Sequence, residues 1–237
     1  KDSEPFSRFY SIVLSKFRFI IFTLISSFEY VAGLVFIAAL FRFRYFLRMK
    51  MHIFMVCVLL SYVSYTTRTV YGLAIESTLI QIGLMMLFIW LLFKVQFYYA
   101  ALMSLTGHVA YGAVQFLLLF VYNFAGIFTL EDLEALIWPS HILPLSSSLI
   151  FLMISRLIIK KNWGFSFVPD RADEDLELKT RKITVILVSI AILIFILSSF
   201  HRIGITLISN IYVSSLIYIA AFVIFLIISI NKERKND

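Results

Sequence analysis

The segment Tyr71–Tyr122 decides the fold, and it reads YGLAIESTLIQIGLMMLFIWLLFKVQFYYAALMSLTGHVAYGAVQFLLLFVY. Its first apolar part, Tyr71–Phe93, contains one charged residue, Glu76, and its second part, Tyr99–Tyr122, contains none. A membrane-spanning helix needs about 20 mostly apolar residues, and each part reaches that length. Because only Lys94–Tyr98 separates them, we predict two antiparallel neighbouring helices in a lipid bilayer.

The composition of the whole chain also indicates a helical membrane protein. Hydrophobic residues make up 61% of the 237 residues and charged residues 15%, against about 25% charged in ordinary soluble domains. The apolar residues form continuous runs, whereas a β-barrel needs them to alternate with polar ones. The fold class that we predict is therefore all-α: a polytopic transmembrane helical bundle of about seven spans, with six left open, and an N-terminal amphipathic helix.

The predicted chain has three regions. Residues 1–18 mix basic and aromatic side chains, which is typical of an amphipathic helix at the membrane surface. The transmembrane domain covers 19–230 and includes a polar loop at 160–182, and a cytoplasmic tail covers 231–237. The first span is Phe19–Phe41, or a shorter one that begins near Phe28. The later predicted spans are Met51–Thr67, Tyr71–Phe93, Tyr99–Tyr122, His141–Ile159, Ile183–Phe200 and Thr206–Ile230.

The distribution of Lys and Arg predicts the orientation in the cell membrane. Of the 21 Lys and Arg residues, 15 lie in connectors that share one side of a seven-span chain: 42–50, 94–98, 156–182 and 231–237. The positive-inside rule places these connectors in the cytoplasm. The N-terminus is then outside and the C-terminus inside. The acidic loop 123–140, which ends at Trp138 and the predicted helix breaker Pro139, faces outward.

Two stripes of polar residues follow helical spacing. One lies on the second span and the other on the fourth: Cys57, Ser61, Ser64 and Arg68, and Ser104, His108, Tyr111 and Gln115. Such stripes are typical of hydrogen bonding between helices in lipid, which is the interpretation that we favour. The alternative is the lining of a polar cavity open to the outside, because ionisable groups within the membrane are candidates for function.

Three charged residues near the membrane need a separate interpretation. Arg68 ends the second span and Glu76 lies near the start of the third, so a structural ion pair is favoured over contacts with an external ligand. Glu29 lies inside the first span, where it is either interfacial or a charge within the bundle. The candidate ligand-binding residues are Arg68, Glu76, Ser104, His108, Tyr111 and Gln115.

The sequence contains no template for an enzyme, a cofactor or a metal site. His52 and Cys57 are about 140° apart around a helix, so they do not face each other. The four histidines are dispersed and match no metal-binding spacing. The basic residues suit anionic lipid headgroups rather than nucleic acid, because the chain has no soluble basic module.

Two segments point to a family: FEYVAGLVFIAALFRFRYFLR (Phe28–Arg48) and FKVQFYYAALMSLTGHVAYGAVQ (Phe93–Gln115). They resemble the membrane sensor regions of Agr-type quorum-sensing histidine kinases of Gram-positive bacteria. The resemblance implies six or seven membrane helices that detect an extracellular peptide and pass the signal to a cytoplasmic kinase. Seven residues follow the last predicted span, so we expect either a sensor region separated from its kinase or a standalone membrane protein of the same shape.

These observations predict an integral membrane receptor or sensor-like signalling module. It would respond to an extracellular peptide near Arg68, Glu76 and the 123–140 loop. The signal would leave through the 160–182 loop and the seventh helix to a separate cytoplasmic signalling partner. The alternative is a transporter or permease component with a polar path along the second and fourth spans. The sequence leaves a homodimer open.

Overall fold

The computed structural model describes residues 3–43, 49–128 and 137–165, together with residues 220 and 227. Within these ranges, the side chains of residues 3–15, 74–76 and 137 are not described. Several predicted features therefore lie outside the described residues: the spans at 183–200 and 206–230, the acidic residues at 131–134, most of the 160–182 loop and the tail.

Five helices make up the described part: α1 (Ser3–Leu40), α2 (Lys50–Tyr65), α3 (Ala74–Phe93), α4 (Phe97–Phe124) and α5 (Ile137–Lys161). The described residues contain no strand, which confirms the all-α prediction for that part of the chain. Four stretches are long and apolar enough to cross a membrane: Lys16–Leu40, Lys50–Val70, Phe97–Phe124 and Trp138–Lys161. Large apolar side chains such as Leu24, Met55 and Met153 are exposed on these helices, as lipid contact requires.

α1 runs without a break through both the predicted surface helix and the first span. Pro5 lies in its first turn, where a missing N–H costs little. The structure thus has one helix of 38 residues where the sequence predicted two elements, and the surface placement of residues 1–18 stays a prediction. The spanning stretch begins at Lys16, which agrees with the earlier predicted start and puts Glu29 well inside it.

α2 continues into a π-helical turn, Thr66–Val70. The Thr67 hydroxyl donates to the Val63 carbonyl at 2.8 Å, and such a bond within a helix competes with the regular backbone pattern. Gly72 then has a φ of 68°, a left-handed conformation that glycine adopts without strain. α3 begins after this turn, later than the predicted third span.

α3 and α4 form the predicted hairpin. Lys94 follows α3 with a φ of 51°, and Gln96 precedes α4. The Ser104 hydroxyl of α4 donates to the Ile82 carbonyl of α3 at 3.1 Å, and the two residues lie at similar distances from the link, as antiparallel helices require. The fully described part of α3, Ser77–Phe93, is apolar but shorter than the four spanning stretches.

The connectors that follow α1, α3 and α5 lie at one end of the bundle. The Phe165 N–H donates to the Leu40 carbonyl at 2.6 Å, and the rings of Phe43 and Phe93 pack with their centroids 4.8 Å apart. This arrangement agrees with the alternating path predicted from the sequence, although the side of the membrane stays a prediction. We term this the Leu40 end and the opposite one the Arg68 end.

The prediction that Pro139 breaks a helix is wrong. α5 begins before Pro139, and the predicted fifth span, His141–Ile159, is correspondingly extended. Proline is tolerated in the first turn of a helix, because the N–H that it lacks would have no intrahelical partner there. Pro144 also lies inside α5, and the Ser148 hydroxyl donates to its carbonyl at 2.7 Å.

Candidate functional site

Polar side chains from three helices meet at the Arg68 end of the bundle and are joined by hydrogen bonds. We term them the polar cluster, and its members are Tyr30, Ser64, Thr67, Arg68, Ser77 and Gln81. Ser64 of α2 lies on the same side as Thr67 and Arg68 of the π-helical turn that continues it, and the two α3 members are about one turn apart. Helical spacing therefore places the polar residues of each segment on one face of its helix.

Gln81 occupies the centre of the polar cluster. Its side-chain oxygen accepts a hydrogen bond from the Tyr30 hydroxyl at 2.6 Å. Its side-chain nitrogen donates to Ser77 Oγ at 2.6 Å and to Ser64 Oγ at 3.0 Å. These bonds allow an amide to be buried among apolar helices, since a buried polar group without partners is costly.

Arg68 lies at the mouth of the polar cluster. Its side chain is exposed, and its guanidinium group donates to Ser77 Oγ at 3.4 Å and to Gln81 Oε1 at 3.5 Å. Both distances exceed those of well-formed hydrogen bonds. Glu29 and His108 lie within electrostatic range of Arg68, so its charge acts inside the bundle. The side chain of Glu76 lies outside the described residues, and the predicted Arg68–Glu76 pair stays a prediction.

Glu29 is a half-buried carboxyl group on α1, next to the polar cluster. The Tyr111 side chain of α4 interacts with it. The Tyr111 hydroxyl also lies 3.3 Å from the Pro144 carbonyl and 3.5 Å from Ser148 Oγ. Tyr111 therefore connects α1, α4 and α5 at the level of this carboxyl group.

An open space lies beside Gly33, about one turn along α1 from Glu29. Within the described part of the chain, no atom lies within 4 Å of the position that a Cβ would take at Gly33. One turn further along, the Cβ position of Gly107 on α4 lies 2.5 Å from Ile37 Cδ1. α1 and α4 therefore touch at Ile37 and separate toward Glu29. We term this space the α1–α4 chamber, and its walls include Glu29, Gly33 and Tyr111.

The structure buries part of each predicted stripe against a neighbouring helix. In the first stripe, Cys57, Ser61 and Ser64 are buried, and the Ser61 hydroxyl donates to the Thr23 carbonyl of α1 at 2.9 Å. In the second, Ser104 is buried against α3. These contacts agree with the favoured interpretation of hydrogen bonding between helices.

Of the predicted ligand residues, Arg68 and Tyr111 lie near enough to interact with Glu29, and His108 lies within electrostatic range of Arg68. Gln115 is half-buried further along α4. Their roles in binding stay predictions.

Sequence reasoning missed Gln81, Tyr30 and Gly33. Gln81 follows Ser77 by one helical turn within an apolar run, and this spacing could have been recognised as a third polar stripe. Tyr30 and Gly33 carry no such signal, because tyrosine and glycine are frequent in membrane helices that have no site.

The described residues contain no group of three His, Cys, Asp or Glu side chains that could hold a metal ion. No known protein family, curated protein or solved structure matches this chain. The function of the polar cluster and the chamber has to follow from their own chemistry.

Proposed function

We propose that this chain is an integral membrane sensor module that responds to an extracellular peptide and couples to a separate cytoplasmic partner. The observation that carries the proposal is that α1 joins two unlike sites. Glu29 lines the chamber toward the Arg68 end, and Leu40 is bonded to the end of α5. About 16 Å of continuous helix separates these two residues. A ligand that displaces α1 at Glu29 would therefore shift its contacts at Leu40.

The Arg68 end suits a ligand site because its polar groups are only partly enclosed. Arg68 is exposed, and its contacts with Ser77 and Gln81 are long enough for a stronger acceptor on a ligand to replace them. Ionisable residues are expensive to keep within a membrane bundle, which supports a functional role for Glu29. The positive-inside rule puts this end outside the cell.

The Leu40 end suits signal output because specific contacts join α1 to the end of α5. The Phe165 N–H donates to the Leu40 carbonyl, and Arg42 Nη2 donates to the Asn162 carbonyl, both at 2.6 Å. Gly164 allows this approach, since a Cβ there would lie 2.6 Å from the Ala39 carbonyl oxygen. The 160–182 loop begins at these contacts, so a displacement of α1 relative to α5 would reach it directly.

Hydrogen exchange of the chain in lipid nanodiscs tests the proposal. We expect the peptide fraction of the native culture to increase protection in the 123–140 loop and to change protection at residues 162–165. The same fraction digested with a protease is the control and should have neither effect. Unchanged exchange at either segment with the intact fraction would contradict the proposal.

Transport is the second candidate, and the α1–α4 chamber is the observation that favours it. A permease needs a polar site inside the bundle, and Glu29 and His108 provide ionisable groups there. Flux of labelled amino acids and short peptides into reconstituted vesicles, lost in His108→Ala and Glu29→Gln, would support it. The Ile37–Gly107 contact closes the chamber toward the Leu40 end, and for this reason we favour sensing.

A further inference from the structure

We propose that the α1–α4 chamber binds a primary ammonium group, with the Glu29 carboxylate as its counter-ion. This inference rests on the proposed function, because it names a chemical group that the peptide ligand must present. Three features carry it: the open space at Gly33, the carboxyl group in its wall, and the helix contact that closes its inner side.

The open space lies on the side of α1 that faces α4. Glu29, Gly33 and Ile37 are successive i, i+4 positions on α1, about 40° apart around the helix axis. Tyr111 interacts with the first of them and Gly107 touches the last, and both belong to α4. Gly33 lies between these two contacts, so it faces α4.

The inner side of the chamber is closed. Ile37 is only 1% exposed, and its side chain fills the position next to Gly107. A ligand group beside Glu29 therefore cannot continue toward the Leu40 end. Such a dead end is the shape of a binding pocket for one chemical group.

The carboxyl group in the wall determines which chemical group fits. The described residues contain no direct ion pair between Glu29 and Arg68, and Tyr111 offers Glu29 only a neutral hydroxyl. A carboxylate away from bulk water is costly unless a cation pairs with it. An ammonium group supplies that charge and has three N–H donors, enough for the Glu29 carboxylate and the Tyr111 hydroxyl together.

Arg68 lies within electrostatic range of Glu29 and restricts the ligand further. Its positive charge opposes the entry of a bare metal cation or a polyamine, and it favours a ligand that carries acceptor atoms beside its ammonium group. The free amino terminus of a peptide has this arrangement, because a carbonyl oxygen follows the ammonium group directly. The open space at Gly33 accommodates a small first side chain.

Thermal unfolding in lipid nanodiscs provides the test, with Cys57 as the reporter. Cys57 is the single cysteine of the chain and is fully buried, so a thiol-reactive dye labels it when the bundle unfolds. The probes are trialanine amide with a free amino terminus and its N-acetylated form. At ten times its Kd we expect the free amine to raise the unfolding midpoint by about 3–6 °C, and the acetylated form to have no effect.

Two variants and a matched control locate the binding. Glu29→Gln removes the charge and keeps the shape, and Gly33→Leu fills the space, so both should abolish the shift. Gly83→Leu is the control, because Gly83 on α3 also has open space around it but is exposed on the outside of the described bundle. That variant should keep the shift. The midpoint of each variant without a probe shows that it is folded.

Three outcomes would overturn the inference. An equal shift with both probes, an undiminished shift in Glu29→Gln, or no shift with either probe would each exclude ammonium recognition in the chamber. None of them affects the exchange response to the native peptide fraction, which tests the sensor function separately. The opposite result is also informative. If the unfolding midpoint shifts as expected for every probe and variant, but the native peptide fraction leaves hydrogen exchange at residues 162–165 unchanged, the chamber is supported and the sensor function is contradicted.

Discussion

At the scale of single residues, Gln81 holds three helices together because one amide group both donates and accepts hydrogen bonds. It contacts Tyr30 on α1, Ser64 on α2 and Ser77 on its own helix. Hydrogen bonds between helices in membranes contribute about 0.6 kcal/mol each on average, with a maximum near 1.7 kcal/mol. The network around Gln81 should therefore contribute measurably to stability, although no single bond in it dominates.

We expect Gln81→Leu to lower the free energy of unfolding by about 2 kcal/mol, because it removes the hydrogen bonds of Gln81 to Tyr30, Ser64 and Ser77. Dye labelling of Cys57 during thermal unfolding in nanodiscs measures the change. Gln115→Leu is the matched control. Because Gln115 lies outside the polar cluster, this variant should lose much less of its free energy of unfolding. Equal stability of the two variants would show that the Gln81 bonds do not stabilise the bundle.

The contact between Gly107 and Ile37 allows a second prediction at this scale. Gly107→Ala places a Cβ 2.5 Å from Ile37 Cδ1, and we expect a loss of about 1–3 kcal/mol from overpacking. Ile37→Ala removes both that atom and Ile37 Cγ1, which lies 2.7 Å from the same Cβ position, so the double variant should recover about 1 kcal/mol in a double-mutant cycle. Gly83→Ala, where the added Cβ meets open space, should be neutral or stabilising. Strict additivity of the two changes would contradict the close contact.

At the scale of helices, the predictable features are those that depend on residues close together in the sequence. The α3–α4 hairpin followed from apolar length and a short link. The unbroken α1 was not predicted, because Lys16 and Arg18 indicated a surface helix. Neither residue breaks a helix, however, and long basic side chains can extend to the lipid headgroups. The prediction that Pro139 breaks a helix was wrong because the effect of a proline depends on its position within the helix.

The candidate site was predictable only in part, because helix crossing is not a local property. Cys57, Ser61 and Ser64 of the first stripe share a buried face of α2, as helical periodicity predicts. Which faces meet depends on close contacts such as Ile37 with Gly107, and nothing in either local sequence indicates that pairing. The chamber at Gly33 follows from this contact and therefore required the structure.

The junction of α1 and α5 gives a prediction at the scale of these helices. In Gly164→Ala the new Cβ would lie 2.6 Å from the Ala39 carbonyl oxygen and 3.0 Å from the Leu40 carbonyl oxygen, which are backbone atoms that cannot move aside easily. We expect the Phe165 amide to lose protection from hydrogen exchange by at least about tenfold, because its bond to Leu40 is broken.

Asn162→Gly is the matched control for this junction. Asn162 has a φ of 52°, which glycine adopts readily, and Arg42 binds the backbone carbonyl that the substitution retains. Protection at Phe165 should therefore stay unchanged in Asn162→Gly. If Gly164→Ala leaves protection unchanged as well, the two helices are not joined by this bond.

At the scale of the whole molecule, the two ends of the described bundle differ in chemistry. The Leu40 end is closed by buried aromatic and aliphatic side chains from α1, α3 and α4, which include Phe41, Phe93 and Tyr99. The Arg68 end contains the hydrogen-bonded polar cluster, and Glu29 in the chamber wall lies next to it. A tightly packed end transmits displacement, and a polar, partly open end can accept a ligand. The proposed direction of signalling, from the Arg68 end to the Leu40 end, follows from this difference.

The orientation of the molecule gives the last prediction. In a Cys57→Ala background, single cysteines replace Lys50, Lys94 or Lys161 at the Leu40 end and Phe124 at the Arg68 end, all exposed positions. A membrane-impermeant maleimide should label position 124 in intact cells and the three lysine positions only after lysis, because Lys-rich connectors stay in the cytoplasm. The structure puts the three lysine positions at one end of the bundle, so the maleimide should label all three or none of them in intact cells, whichever way the chain is oriented. Labelling of only one or two of them would contradict the fold. Uniform labelling of the three from outside would instead put the Arg68 end in the cytoplasm, and an extracellular peptide could not then be the ligand of the chamber.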